Sequence, residues 1–194
     1  MKNVLKFLGV LSTVALMSFN NPNKKIVVID AGHGGKDNGA VVASSKEKEV
    51  SLAIAKKVKE LNKNTEIEII LTREQDEFLS LKDRANFINN LKPDFVLSIH
   101  TNSNFSTELN GVELYVSDKN ENITSSEKFA TDLQSNFAKQ NAVIKKADFY
   151  LLKEVKAPIN FIEIGFISNE NDRNYMTSDT GQEEIAQAIL NAIE

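Results

Sequence analysis

Apolar runs alternate with amphipathic stretches along most of this chain. Residues 26–29 (Ile-Val-Val-Ile) are consecutive, short and β-branched, the pattern of a strand buried on both faces. Over 48–61, Val50, Ile54, Val58 and Leu61 fall on one stripe and predict a helix. Residues 67–71 predict a second strand and 80–91 a second helix with Ser80 as its N-cap. Pro93 closes that region before a third strand over 94–99. Residues 111–117 alternate with period two, as a strand with one polar face does. A helix is expected over 125–140 with Phe129, Leu133 and Phe137 on one face, then a short strand over 149–152 and a buried strand over 159–164. Thr180 and Glu183 form a capping box that opens the last helix. This order predicts a single-domain α/β sandwich, with a largely parallel central sheet of about six strands flanked by helices. Ligands on such sheets gather at the carboxyl ends of the strands.

The start of the chain has a different character. Lys2 and Lys6 precede an apolar run over 7–17 that is interrupted only by Gly9, Ser12 and Thr13. The run falls short of the roughly 20 residues that cross a bilayer as a helix. A basic start followed by a short apolar core is the pattern of a secretory signal. Residues 15–18 (Ala-Leu-Met-Ser) lack a clean small-x-small cleavage pattern, which keeps a short uncleaved anchor open. Residues 1–23 are therefore expected to be a signal peptide or anchor plus linker. The product would be exported to the periplasm or the extracellular cell-wall space, touching membrane only through that segment.

Composition then narrows the chemistry. The chain has 194 residues, enough for one domain with a real core. It has no cysteine, which excludes disulfides, thiolate metal sites and thiol nucleophiles. The first 23 residues hold two lysines and no acid, so without them the formal charge of −4 becomes −6. An acidic domain lacks the basic field of a nucleic-acid binder, and no nucleic-acid partner is expected. The two histidines, His33 and His100, lie too far apart for an H-E-x-x-H helix.

Both histidines nevertheless fall at the same end of parallel strands. The first strand runs into Asp30-Ala31-Gly32-His33-Gly34-Gly35, and the third ends in Ser98-Ile99-His100-Thr101-Asn102. A late strand carries Glu163 between Ile162 and Ile164. A carboxylate in such an apolar run is paired, protonated or poised at a site. The glycine-rich loop matches neither a Walker loop nor G-x-G-x-x-G, which argues against phosphate binding. Glu47 has a complete structural explanation in the Ser44-x-x-Glu47 capping box, and Glu49 is an equal candidate as a solvated acid. Spacing alone does not choose between the two as ligands.

Taken in order, these segments resemble the zinc-dependent N-acetylmuramoyl-L-alanine amidases of the amidase-3 family, which hydrolyse the cell wall. The matching pieces are Val28 to Gly35, Lys46-Glu47-Lys48-Glu49-Val50, Leu71-Thr72-Arg73, Leu79 to Arg84, Ser98 to Asn102 and Phe161 to Asn169. They run from about Lys25 to the C-terminus, so the resemblance implies a catalytic domain over 24–194. It implies one Zn2+ ion held by His33, Glu47 and His100, selecting Glu47 over Glu49. It implies Glu163 as the catalytic group, taking a proton from the zinc-activated water and delivering it to the leaving amine. The substrate would be peptidoglycan, cut between N-acetylmuramic acid and L-alanine. Asp30 and Asn102 are candidates for orienting an imidazole or the substrate, or for bonding the loops. Arg73 and Arg84 are expected to pair carboxylates or brace the sheet edge.

Some relatives insert a helical plug between the strand ending near 117 and the next helix. This chain has a short polar loop there, so an open site without an activator is expected, in a monomer. Residues 36–45 and 101–111 are the expected rims of the groove. Three other readings stay open: a zinc peptidase using the same ligands on stem peptides, a non-catalytic wall-binding protein on the same fold, and a cytosolic nucleotide-binding protein.

Overall fold

The computed structural model describes residues 24–194; the expected leader over 1–23 lies outside them. The strands are β1 (Lys25–Ala31), β2 (Val41–Val42), β3 (Ser45–Lys46), β4 (Ile67–Leu71), β5 (Phe95–Asn102), β6 (Glu113–Val116), β7 (Val143–Lys146) and β8 (Ile159–Phe166). The helices are α1 (Glu47–Leu61), α2 (Leu81–Leu91), α3 (Ile123–Asn136), α4 (Tyr150–Glu154), α5 (Glu170–Thr177) and α6 (Asp179–Ile193). Six strands form one sheet in the order β4-β1-β5-β8-β6-β7. Only the β6–β8 pair is antiparallel; β2 and β3 make a separate small hairpin.

Side chains alternate across the sheet and separate two cores. Val27, Ile29, Leu97, Ile99, Leu114 and Ile162 face the side covered by α1, α3 and α6. Val28, Val96 and Ile159 face α2 and α4. That alternation also sends Asp30, Ser98, His100, Phe161 and Glu163 to the α2 and α4 side, so the polar residues of three strands share one face. Among the described residues no helix is long and apolar enough to cross a membrane.

Most expected elements form, with shifted ends. Ser80 caps α2 by accepting from the Asp83 N–H, and the helix stops at Lys92 in a left-handed conformation (φ 49) just before Pro93. The two capping boxes do not form. The first residue before α1 is Lys46, which makes no side-chain cap, and the Glu47 carboxylate is used elsewhere. Ser178, not Thr180, caps α6 through the Gly181 N–H. The stretch expected as a strand over 149–152 is the short helix α4, which buries Leu151 and Leu152 while Phe149 and Tyr150 stay partly exposed. A short apolar run carries no periodicity that separates these outcomes. β7 and α5 have no sequence signal: β7 is an exposed edge, and α5 buries only Met176.

Candidate metal centre

The site is built on the carboxyl ends of β1, β5 and β8 and the first residue of α1. His33 lies two residues past β1 in a left-handed conformation (φ 58) between glycines. Two buried guanidiniums hold this loop. Arg84 donates to Asp30 Oδ1 at 2.6 Å, to the Ala31 carbonyl at 2.7 Å and to the His33 carbonyl. Arg73 donates to the carbonyls of Ala31, Gly32 and Lys48 at 2.8 to 2.9 Å. The bracing expected of these two arginines is therefore directed at the histidine loop and the start of α1. Lys48 adds a third tie, donating to the Gly35 carbonyl and to Asp76, each at 2.8 Å.

Asp30 does not orient an imidazole. Its carboxylate is wholly buried and accepts from Thr72 and Ser98, each at 2.7 Å, besides Arg84. Burial alone would raise its pKa, but Arg84 and the two hydroxyls hold it below the ordinary carboxylate value. Asn102 does not touch an imidazole either; its Nδ2 donates to Glu113 at 3.1 Å.

His33, Glu47 and His100 meet. One oxygen of Glu47, Oε1, lies 3.0 Å from His33 Nε2 and 2.9 Å from His100 Nδ1. Potential donor atoms of the three residues all lie within 4.8 Å of one another. The Thr101 N–H donates to the same oxygen, and the Ala40 N–H donates to Glu47 Oε2 at 2.9 Å. That use of the carboxylate explains why it caps no helix. Burial opposes ionisation of Glu47, yet the two imidazoles hold its pKa far below normal. Burial likewise opposes charge on His33, but Glu47 and Asp37 overcome it and hold the imidazole at about 8.

Two glycines give the ring atoms room. A Cβ on Gly32 would lie 2.4 to 2.7 Å from three atoms of the His100 ring. Gly39 (φ +62) would meet Glu47 Oε2 at 2.4 Å and His33 at 2.7 Å. Phe161 stacks on the other side of His100, with ring centroids 4.2 Å apart and planes at 16°. Sequence reasoning missed Asp37, whose Oδ2 lies 2.8 Å from His33 Nδ1. An acid four residues beyond a histidine in a tight loop was the available signal. A carboxylate on one ring nitrogen fixes the tautomer that leaves the other free for a ligand.

Glu163 pairs with His100 in the β5–β8 register. Its Oε2 is buried with no hydrogen-bond partner. Burial, then the nearby Glu47 and Glu113 charges, push this carboxyl up to about 8. Phe161, Phe149 and Tyr115 form an aromatic wall on the same face, with Phe149 4.7 Å from Phe161 and 5.1 Å from Tyr115 between centroids. Two imidazoles and one carboxylate, all nitrogen and oxygen donors, are the set that holds a tetrahedral hydrolytic metal with one position open. A separate carboxyl with a pKa near neutrality is what proton transfer at such a centre requires.

These features define an α/β protein with a mononuclear, hydrolase-type donor set at the edge of its sheet. Residues 27–194 match the Amidase_3 family, described as N-acetylmuramoyl-L-alanine amidase, and the chain belongs to that family. It is 36% identical over 168 residues to the N-acetylmuramoyl-L-alanine amidase LytC of Bacillus subtilis, covering 84% of this chain and 34% of LytC. The chain thus spans about a third of that relative. The solved catalytic domain of the amidase CwlV from Bacillus (Paenibacillus) polymyxa var. colistinus superposes with a TM-score of 0.80 at 37% identity, covering 87% of this chain and 96% of that one. The CwlD amidase of Clostridioides difficile, solved in complex with the GerS lipoprotein, gives 0.81 at 32% identity, covering 88% and 96%.

Proposed function

We propose that this protein is an exported peptidoglycan hydrolase that cleaves the amide between N-acetylmuramic acid and L-alanine of the stem peptide, using one zinc ion. The carrying observation is the convergence of His33, Glu47 and His100 one strand away from a buried, unpartnered oxygen of Glu163. Membership of the amidase family supplies the substrate class. Held by these three residues, zinc would supply a water with a pKa near 7 and polarise the lactyl carbonyl.

The chain's own groups do the rest. Asp37 keeps the Nδ1 side of His33 occupied and directs Nε2 inward. Phe161 and the close approach of Gly32 fix the plane of His100. Glu163 Oε2 accepts the proton of the attacking water and passes it to the departing alanine nitrogen, so that the amine leaves neutral. The aromatic wall beside Glu163 limits its solvation and keeps its proton affinity high.

Residues 118–122 make only a turn between β6 and α3, and the side chains of His33 and His100 keep 23% and 15% of their surface exposed. Both facts support a site that works without an activator. Export rests on the basic and apolar pattern of residues 1–23. Digestion of purified sacculi with the zinc-loaded protein, read by mass spectrometry, tests the reaction. Free peptides beginning with L-alanine, lost on chelation and restored by zinc, are expected. Cuts between amino acids would identify a peptidase instead, and no products at all a binding protein.

A further inference from the structure

Glu113 stands directly opposite Glu163 in the antiparallel β6–β8 pairing, and their side chains leave the same face of the sheet. Like charges so placed repel. Glu113 is therefore given a full set of donors. Lys145 Nζ donates to its Oε1 at 2.6 Å, while the Tyr115 hydroxyl and Asn102 Nδ2 donate to its Oε2. Lys145 lies on β7 in register with Tyr115 of β6, and its ammonium is 6.0 Å from the centre of that ring.

A lysine on an edge strand ordinarily keeps other strands away. The neighbouring Lys146, paired with Asp118 and Glu127, serves that purpose. Lys145 is different because it is tied into the row of side chains that runs from His100 through Glu163 to Glu113. Its side chain is 45% exposed. An ammonium has three donors; one is committed to Glu113, and no other protein acceptor binds it among the described residues.

Substrate chemistry gives this cation a meaning. The N-acetylated sugars of a glycan strand are neutral, and the lactyl carboxyl of muramic acid is consumed in the scissile amide. Every carboxylate near the reacting bond thus lies on the peptide side. Resting on the amidase reading above, we infer that Lys145 is a specificity-determining residue that receives the first free carboxylate of the stem peptide. Glu113 and Tyr115 are its positioning residues. The peptide then leaves the catalytic groups across β6 and β7. Lys36, whose ammonium sits 4.5 Å over the Phe78 ring, is the competing cation in the loop that follows His33.

The test uses two disaccharide-peptides that differ only in whether the α-carboxyl of the second, D-glutamyl residue is free or amidated. The readout is the ratio of kcat/KM between them. Wild type is expected to favour the free acid about fivefold to tenfold, the value of a half-exposed charge-assisted hydrogen bond, with the difference in KM. Lys145→Ala brings the ratio close to one, Lys145→Glu reverses it, and Lys145→Arg retains it. A wild-type ratio near one, or a ratio unchanged in Lys145→Ala, overturns the subsite while leaving the amidase reading intact. Collapse of the ratio in Lys36→Ala but not in Lys145→Ala also overturns it and moves the carboxylate to the other rim. A wild type inert toward both compounds refutes the amidase reading itself and the subsite with it.

Discussion

Glu163→Gln separates catalysis from stability in opposite directions. The carboxyl is pushed from its ordinary 4.5 to about 8 by burial and by the Glu47 and Glu113 charges. In metal-free protein the folded state therefore holds a proton between those pH values that the unfolded chain has released. Stability must fall as pH rises through that window and level off above about 8. The full difference corresponds to at most about 5 kcal/mol. Local relaxation and residual solvent contact reduce the expected cost to about 2 kcal/mol. Glutamine has no proton to lose. Urea denaturation of chelator-treated protein should show wild type and variant within error at pH 5 and the variant about 2 kcal/mol more stable at pH 9. The zinc-loaded variant should keep its metal and lose about 10²- to 10⁴-fold in kcat. A stability difference independent of pH, or a variant weaker at pH 9, would refute the reasoning about Glu163.

Other consequences follow from the same geometry. His33 binds its proton up to about 8, so zinc must displace that proton below this pH. Affinity measured against a chromophoric chelator should rise about tenfold per pH unit up to about 8 and then flatten; a flat profile from pH 6 contradicts the hydrogen bonds assigned to His33. Gly32→Ala drives a methyl into the His100 ring and should weaken zinc binding about 10- to 100-fold while leaving the far-ultraviolet circular dichroism unchanged; unaltered affinity argues against His100 as a ligand. Arg84→Ala strands the buried Asp30 carboxylate and should cost about 3 to 5 kcal/mol in denaturant titrations. Asp30 has a depressed pKa, so its contribution is present above its unfolded value of 3.8 and is lost as pH falls further. A loss below about 1 kcal/mol for Arg84→Ala would show that the pair does not hold the loop.

The elements legible in the sequence are those whose burial is two-sided or striped. β1, β5 and β8 are continuous apolar runs, and α1 and α6 carry full stripes into the same core. Elements with little buried surface left no such trace: β7 is half solvated, α5 rests on Met176 alone, and α4 is too short for its period to show. Of the site, both histidines and Glu163 were visible as polar residues at one end of apolar strands. Glu47 was not, because a helix-capping acid and a ligand share one sequence pattern; only the distances to two imidazoles separate them. Asp37 and the Lys145–Glu113 pair depend on contacts across 4 and 32 residues. The latter is a register between strands that no local pattern encodes.

The central claim is that two imidazoles and one carboxylate, distant along the chain, hold a single zinc ion. X-ray absorption at the zinc edge, recorded on protein loaded with one equivalent, addresses it most directly. Two imidazole shells beside oxygen donors are expected, falling to one in His33→Ala and in His100→Ala. A spectrum without imidazole scattering, or one that neither substitution alters, would contradict the account.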